Sequence, residues 1–154
     1  MKKILFLSLF LLMAGSVMAQ KMVIGSRVPD FKGVQWMTTM PHTSETPEAA
    51  PMLIEFYNPD NASSVRFFSK LAGVKERHPK IQIVVLVARN KQSAEQLLES
   101  HGKEYYIGLD PDGKVYQAFN VRFLPYTILV NSKGELHWQG NLGNLTDGTL
   151  QKVK

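Results

Sequence analysis

The chain has 154 residues, with 18 Lys+Arg against 13 Asp+Glu and no cysteine. That length fits one domain, and the small, scattered positive excess excludes a dedicated nucleic-acid surface. The missing cysteines exclude structural disulfides, thiolate nucleophiles and cysteine metal sites; His42, His78, His101 and His137 have no ligand-like spacing, so no metal and no cofactor is expected.

Lys2-Lys3, the apolar run from Ile4 to Ala14, and the small residues Val17 and Ala19 have the shape of a secretory signal cleaved after Ala19. The run is roughly ten residues long, against the roughly twenty that a membrane span needs, and no later run is long enough. The expected organisation is a leader over 1–19 and one domain over 20–154, exported to the periplasm or beyond in a bacterial envelope. Disulfides persist in that setting, which makes their absence informative.

After the leader, Ile24 to Phe31 reads as extended chain, since Pro29 forbids a helix, and Val34 to Met37 as a weak edge strand. Pro41 to Pro51 is a loop by composition. Met52 to Tyr57 is apolar except at Glu55, the pattern of a strand covered on both faces. From Asn61 to about Arg77, Val65, Phe68, Leu71, Ala72 and Val74 fall at helical spacing, with Asp60 or Asn61 as N-cap and Pro79 as stop. Ile81 to Ala88 is the strongest strand signal and belongs at the sheet's centre. Lys91 to His101 is an amphipathic helix with Ala94, Leu97 and Leu98 inward. A short strand at Tyr105 to Leu109, a turn over 110–113 and a helical turn at Val115 to Phe119 follow. Pro125 to Val130, Asn131 to Gly134 and Glu135 to Gln139 form a hairpin, leaving room for a short last helix. Alternating strands and helices closed by a hairpin predict an α/β fold with a mixed sheet between helices.

Five pieces in order carry a resemblance: Val28-Pro-Asp-Phe31, the strand ending Glu-Phe-Tyr57, a helix opening four residues later, Leu109-Asp-Pro-Asp-Gly-Lys114, and Val121-Arg-Phe-Leu-Pro-Tyr-Thr-Ile-Leu-Val130 leading into Asn131-Ser-Lys-Gly-Glu135. From about Gly25 to Gly143 the chain resembles the thioredoxin-like proteins, in particular their exported bacterial thiol-disulfide interchange and peroxiredoxin-like branch. The resemblance implies a thioredoxin-like fold, and puts Asn61, Ala62, Ser63 and Ser64 in the slots of the family's Cys-x-x-Cys motif. There the family's first cysteine is favoured as a thiolate by a helix N-terminus and attacks a disulfide. Asn61 cannot be that nucleophile and Ser64 cannot resolve a mixed disulfide, so the chain is a degenerate member without a catalytic residue for that chemistry. A hydrolytic Ser63 or Ser64 would need a base, and no histidine is near in sequence.

The resemblance also implies a cis bond at Pro125 and, just before it, backbone that pairs with extended substrate. A retained groove would be formed by Tyr57, Arg122, Phe123, Leu124 and Tyr126 beside Asn61; alternatively Pro125 only shapes a core strand. Glu55 matches the family's buried proton-relay acid, but the preferred reading is a solvent-facing carboxylate paired with a surface Lys or Arg. Trp36, Tyr57, Phe123 and Tyr126 are the aromatics expected near the site. The sequons at Asn61 and Asn144 are treated as chance. The functional expectation is a redox-inactive, protein- or peptide-binding module of the envelope. A cysteine-independent enzyme, an accessory to a partner's thiol chemistry, and a structural or homodimeric assembly element are the alternatives.

Overall fold

A computed structural model describes residues 22–154, so the expected leader lies outside the described residues. Three apolar segments, Met52–Tyr57 (β2), Gln82–Ala88 (β3) and Tyr106–Asp110 (β4), run parallel; Gln35–Trp36 (β1), Tyr126–Val130 (β5) and Leu136–Gly140 (β6) pair antiparallel to their neighbours. The sheet order β1-β4-β3-β2-β5-β6 places β2 and β3 in the middle. The α/β expectation, mixed sheet and terminal hairpin included, holds. Among the described residues no helix is long and apolar enough to cross a membrane.

Strand alternation divides the core in two. Leu53, Ile83, Val85, Val87 and Leu129 face helices Ala62–Phe68 (α1), Lys70–Arg77 (α2), Lys91–His101 (α3) and Asp147–Lys152 (α5). Ile54, Phe56, Val84, Leu86 and Ile128 face the short helix Lys114–Ala118 (α4) and the coil ahead of β1. That coil runs along β6: Gly25 N–H donates to Leu136 O (2.8 Å), Leu136 N–H to Ser26 O (2.8 Å) and Val28 N–H to Gly134 O (3.0 Å). Asp147 locks α5 to the end of α2, accepting from His78 (3.1 Å) and Arg77 (3.0 Å), and these bonds hold its carboxyl below the usual range.

The single helix expected over 61–77 is two helices that meet at Ser69. The Ser69 hydroxyl back-bonds to Arg66 O (3.4 Å), a local competition that bends helices. Within α1 the inward stripe runs through Ser64 and Phe68 toward Leu71 and Val74, so Ser64 is buried and Val65 is 49% exposed, the reverse of what the apolar spacing implied.

Candidate functional site

The corner after β2 is built by amides. Asn58 Oδ1 accepts from Asp60 N–H (2.9 Å), and Asn61 Oδ1 accepts from Ser64 N–H (2.8 Å), making Asn61 the N-cap of α1. Side-chain caps satisfy N–H groups that the helix itself leaves orphaned. Replacing Asn61 with Ala is therefore expected to lower stability by about 1 kcal/mol, read as a drop in the urea midpoint at constant slope. An unchanged midpoint would remove the capping account of this position.

Beneath the corner, Glu55 is fully buried, which corrects the solvent-facing expectation. β2 lies between β3 and β5 with both faces covered, so neither side-chain direction leads to solvent. Its register partner Thr127 donates to Glu55 Oε2 (2.5 Å), while Oε1 has no partner. Burial pushes the Glu55 carboxyl up to about 8, against the opposing effect of the Thr127 bond. Glu55 Oε1 and Ser64 Oγ are the buried side-chain polar atoms that lack a hydrogen-bond partner among the described residues.

The β2–β5 register ends with Phe56 opposite Tyr126, which sets the corner beside the chain entering β5. There the Leu124–Pro125 bond is cis and Pro125 is buried. Tyr126 lies 5.9 Å from Phe56, centroid to centroid, and donates its hydroxyl to Gln139 Oε1 (2.7 Å). Asn120 takes the left-handed conformation (φ 54) and accepts from Arg122 Nε (3.0 Å), fixing the guanidinium at the surface. Phe123 next to it is 80% exposed. Among the described residues, no backbone group of Arg122, Phe123 or Leu124 joins a turn, loop or cap hydrogen bond.

Two of the expected site aromatics are elsewhere. Tyr57 points to the opposite face of the sheet from Tyr126, with its ring 4.8 Å from Phe68. Trp36 sits on β1, separated from β5 by β4, β3 and β2, and meets Phe31 edge-on at 5.4 Å. Sequence reasoning missed Tyr116, whose hydroxyl donates to Leu86 O (2.6 Å) with Tyr57 O 3.2 Å away, tying α4 to the ends of β2 and β3. Burial pushes its phenol up strongly. Its helical position carried no signal for this long-range bond.

Chemically, the corner offers no thiol; the Ser64 hydroxyl is buried without a partner, and among the described residues neither the Ser63 nor the Ser64 hydroxyl is hydrogen-bonded to a base that could activate it. What it can offer a ligand is free backbone, a bare phenyl ring and an anchored guanidinium.

No family model and no curated relative matches the chain. Solved structures do. A thioredoxin-like protein in its oxidised form shares 14% identity at a TM-score of 0.71 over 86% of this chain and 100% of its own. The C-terminal domain of a candidate thiol-disulfide oxidoreductase from Bacteroides thetaiotaomicron shares 18% at 0.64 over 86% and 94%. A secreted Mycobacterium tuberculosis disulfide oxidoreductase, homologous to Escherichia coli DsbE, shares 15% at 0.53 over 67% and 77%. At such identities the fold is what is shared, and the fold is thioredoxin-like.

Proposed function

From a thioredoxin-like fold that carries no thiol, we propose a redox-inactive binding module of the bacterial envelope that takes an extended protein or peptide segment along Arg122–Leu124. The observation that carries this reading is the unpaired backbone of those residues between an anchored Arg122 and an exposed Phe123. Unpaired backbone gives an extended chain hydrogen bonds by strand addition, and neighbouring side chains give it selectivity. An Arg beside a bare aromatic favours a segment with a carboxylate next to an apolar residue.

The former substrate side of the fold thus remains usable although its thiols are gone. The exported location rests on the leader-like sequence over 1–19. The alternative of a serine enzyme is not favoured, because the Ser64 hydroxyl is buried and the half-buried Ser63 hydroxyl has no hydrogen bond to a base.

The test is site-specific photo-crosslinking from position 61 in envelope extract, repeated with Arg122→Gln and Phe123→Ser. Both side chains are exposed, so these variants leave the core intact; Tyr126→Asp would bury a charge against Phe56. A discrete adduct that falls by about tenfold in both variants, at unchanged urea midpoint, is expected. Equal adducts in all three proteins would place any function on another face.

A further inference from the structure

At the opposite end of the sheet from the corner, a cleft of about 470 Å³ opens between the sheet and two irregular stretches, residues 27–32 and 40–50. Its floor is Met52, Ile54 and Val130, from the start of β2 and the end of β5. Among the described residues α4 is the one helix contributing to this face's core, and Val115 with the capping residue Phe119 brings it in at Phe56, nearer the other end. The rest of the face is roofed by coil.

The roof is held in place. Gln82, only 8% exposed, accepts from His42 N–H (2.7 Å) and donates to His42 O (2.8 Å) and Ala50 O (3.2 Å). One buried amide therefore clips both ends of the 42–50 loop to the start of β3. Arg27 is also anchored, its backbone bridged to Glu135 and its guanidinium donating to Ser44 Oγ (3.2 Å). Long loops fixed without regular structure of their own are commonly functional.

The rim carries two cations, Arg27 and Lys32, and two carboxylates, Asp30 and Glu45, and they are not paired with one another. Among the described residues neither Arg27 nor Lys32 reaches a carboxylate. Asp30 is occupied by Lys32 N–H (3.0 Å), and His42 lies 3.8 Å from Glu48. Among the described residues neither Asp30 nor Glu45 forms an ion pair, so the guanidinium of Arg27, bonded to Ser44 alone, and the ammonium of Lys32 are free to meet an anion at the rim. A neutral apolar ligand would leave both of them unused.

We propose that this cleft binds a small amphipathic carboxylate, its apolar body against Val28, Phe31 and Met40 above the buried Met52, Ile54 and Val130, and its carboxylate held by Arg27 and Lys32. The volume lies within the roughly 300–1,000 Å³ of small-molecule sites and is too small for a folded partner. Charge-assisted bonds from a guanidinium and an ammonium favour a carboxylate over an alcohol of equal chain length. The cleft is independent of the Arg122–Leu124 surface, so either proposal can fail alone.

The chain from Gln20, in a Trp138→Phe background, is titrated with decanoate, decanol and decylammonium while Trp36 fluorescence is followed. Trp36 reports because its ring contacts Phe31 at the cleft wall. Saturable decanoate binding, about tenfold tighter than decanol, is expected. An Arg27→Gln/Lys32→Gln variant should lose about tenfold in decanoate affinity while its stability falls by less than about 1 kcal/mol, since both side chains are exposed and the bond from Arg27 to Ser44 is the one hydrogen bond given up. Ala50→Phe, which fills the cleft, should abolish saturation. Decanol or decylammonium binding as tightly as decanoate, no saturation with decanoate, or an unaffected Arg27→Gln/Lys32→Gln variant would each overturn the proposal.

Discussion

Glu55→Gln is expected to stabilise the protein above about pH 5, by an amount that grows until about pH 8. The folded chain holds this carboxyl at about 8 while the unfolded chain holds it near the ordinary 4.5. Between those values the native state binds a proton that the unfolded state has released, so stability falls as pH rises through that window. Below it both states are protonated and nothing is lost; above it both are ionised and the loss is complete. At about 1.4 kcal/mol per unit, the full penalty is roughly 3–5 kcal/mol. Gln keeps an acceptor for the Thr127 hydroxyl and never ionises. The two proteins should therefore match within about 1 kcal/mol at pH 5 and separate by several kcal/mol at pH 9, measured as paired urea unfolding curves. Subtracting at each pH cancels every other titrating group. Equal stabilities at pH 9 would mean that Glu55 reaches solvent or a partner.

Installing Cys at both 61 and 64 is expected to turn a chain with no thiol chemistry into a dithiol oxidoreductase. The Asn61 side chain already lies against the backbone of residue 64, with Oδ1 2.8 Å from Ser64 N. Cα atoms three apart at a helix start are about 5 Å from one another, within the roughly 4.4–6.8 Å that a disulfide spans. Losing the cap costs about 1 kcal/mol. Ser64→Cys offsets part of that, because it replaces a buried hydroxyl without a partner by a side chain that packs as a small apolar one. Oxidation should remove two hydrogens by mass, and the variant should catalyse reduction of insulin by dithiothreitol, whereas the parent and Ser64→Cys alone should not. Failure to form the disulfide would show that the corner does not match the Cys-x-x-Cys slots. A disulfide without turnover would show that the Arg122–Leu124 side no longer accepts a substrate chain.

The strands and α3 were legible in the sequence because burial on two faces, or on one stripe, writes itself into local periodicity. Met52–Tyr57 and Lys91–His101 have the bounds that pattern implied. The break at Ser69 was not legible, since it depends on a hydroxyl choosing a carbonyl three residues back. Local pattern also left Glu55 and Tyr57 undecided: a strand's alternation says that they share a face but not which layer covers it. Trp36 was misplaced for a related reason, because strand order, not sequence distance, decides nearness to β5. The roofed cleft was invisible, since Gln82 reads as an ordinary strand residue until its amide is seen to reach His42 and Ala50.

The coil bonded along β6 has a consequence for how this chain meets other chains. A run such as Ile81-Gln-Ile-Val-Val-Leu-Val-Ala88 would template aggregation if it lay at an open margin. Instead it is central; one margin is a two-residue strand, and the other begins under residues 25–28. A foreign strand finds little length to zip along at either side. At Arg122–Leu124 it finds three residues of unpaired backbone, closed off by Pro125, which has no N–H to continue the ladder. Pairing there would stop after one short register, so the geometry limits how much foreign chain could be recruited at this side as well.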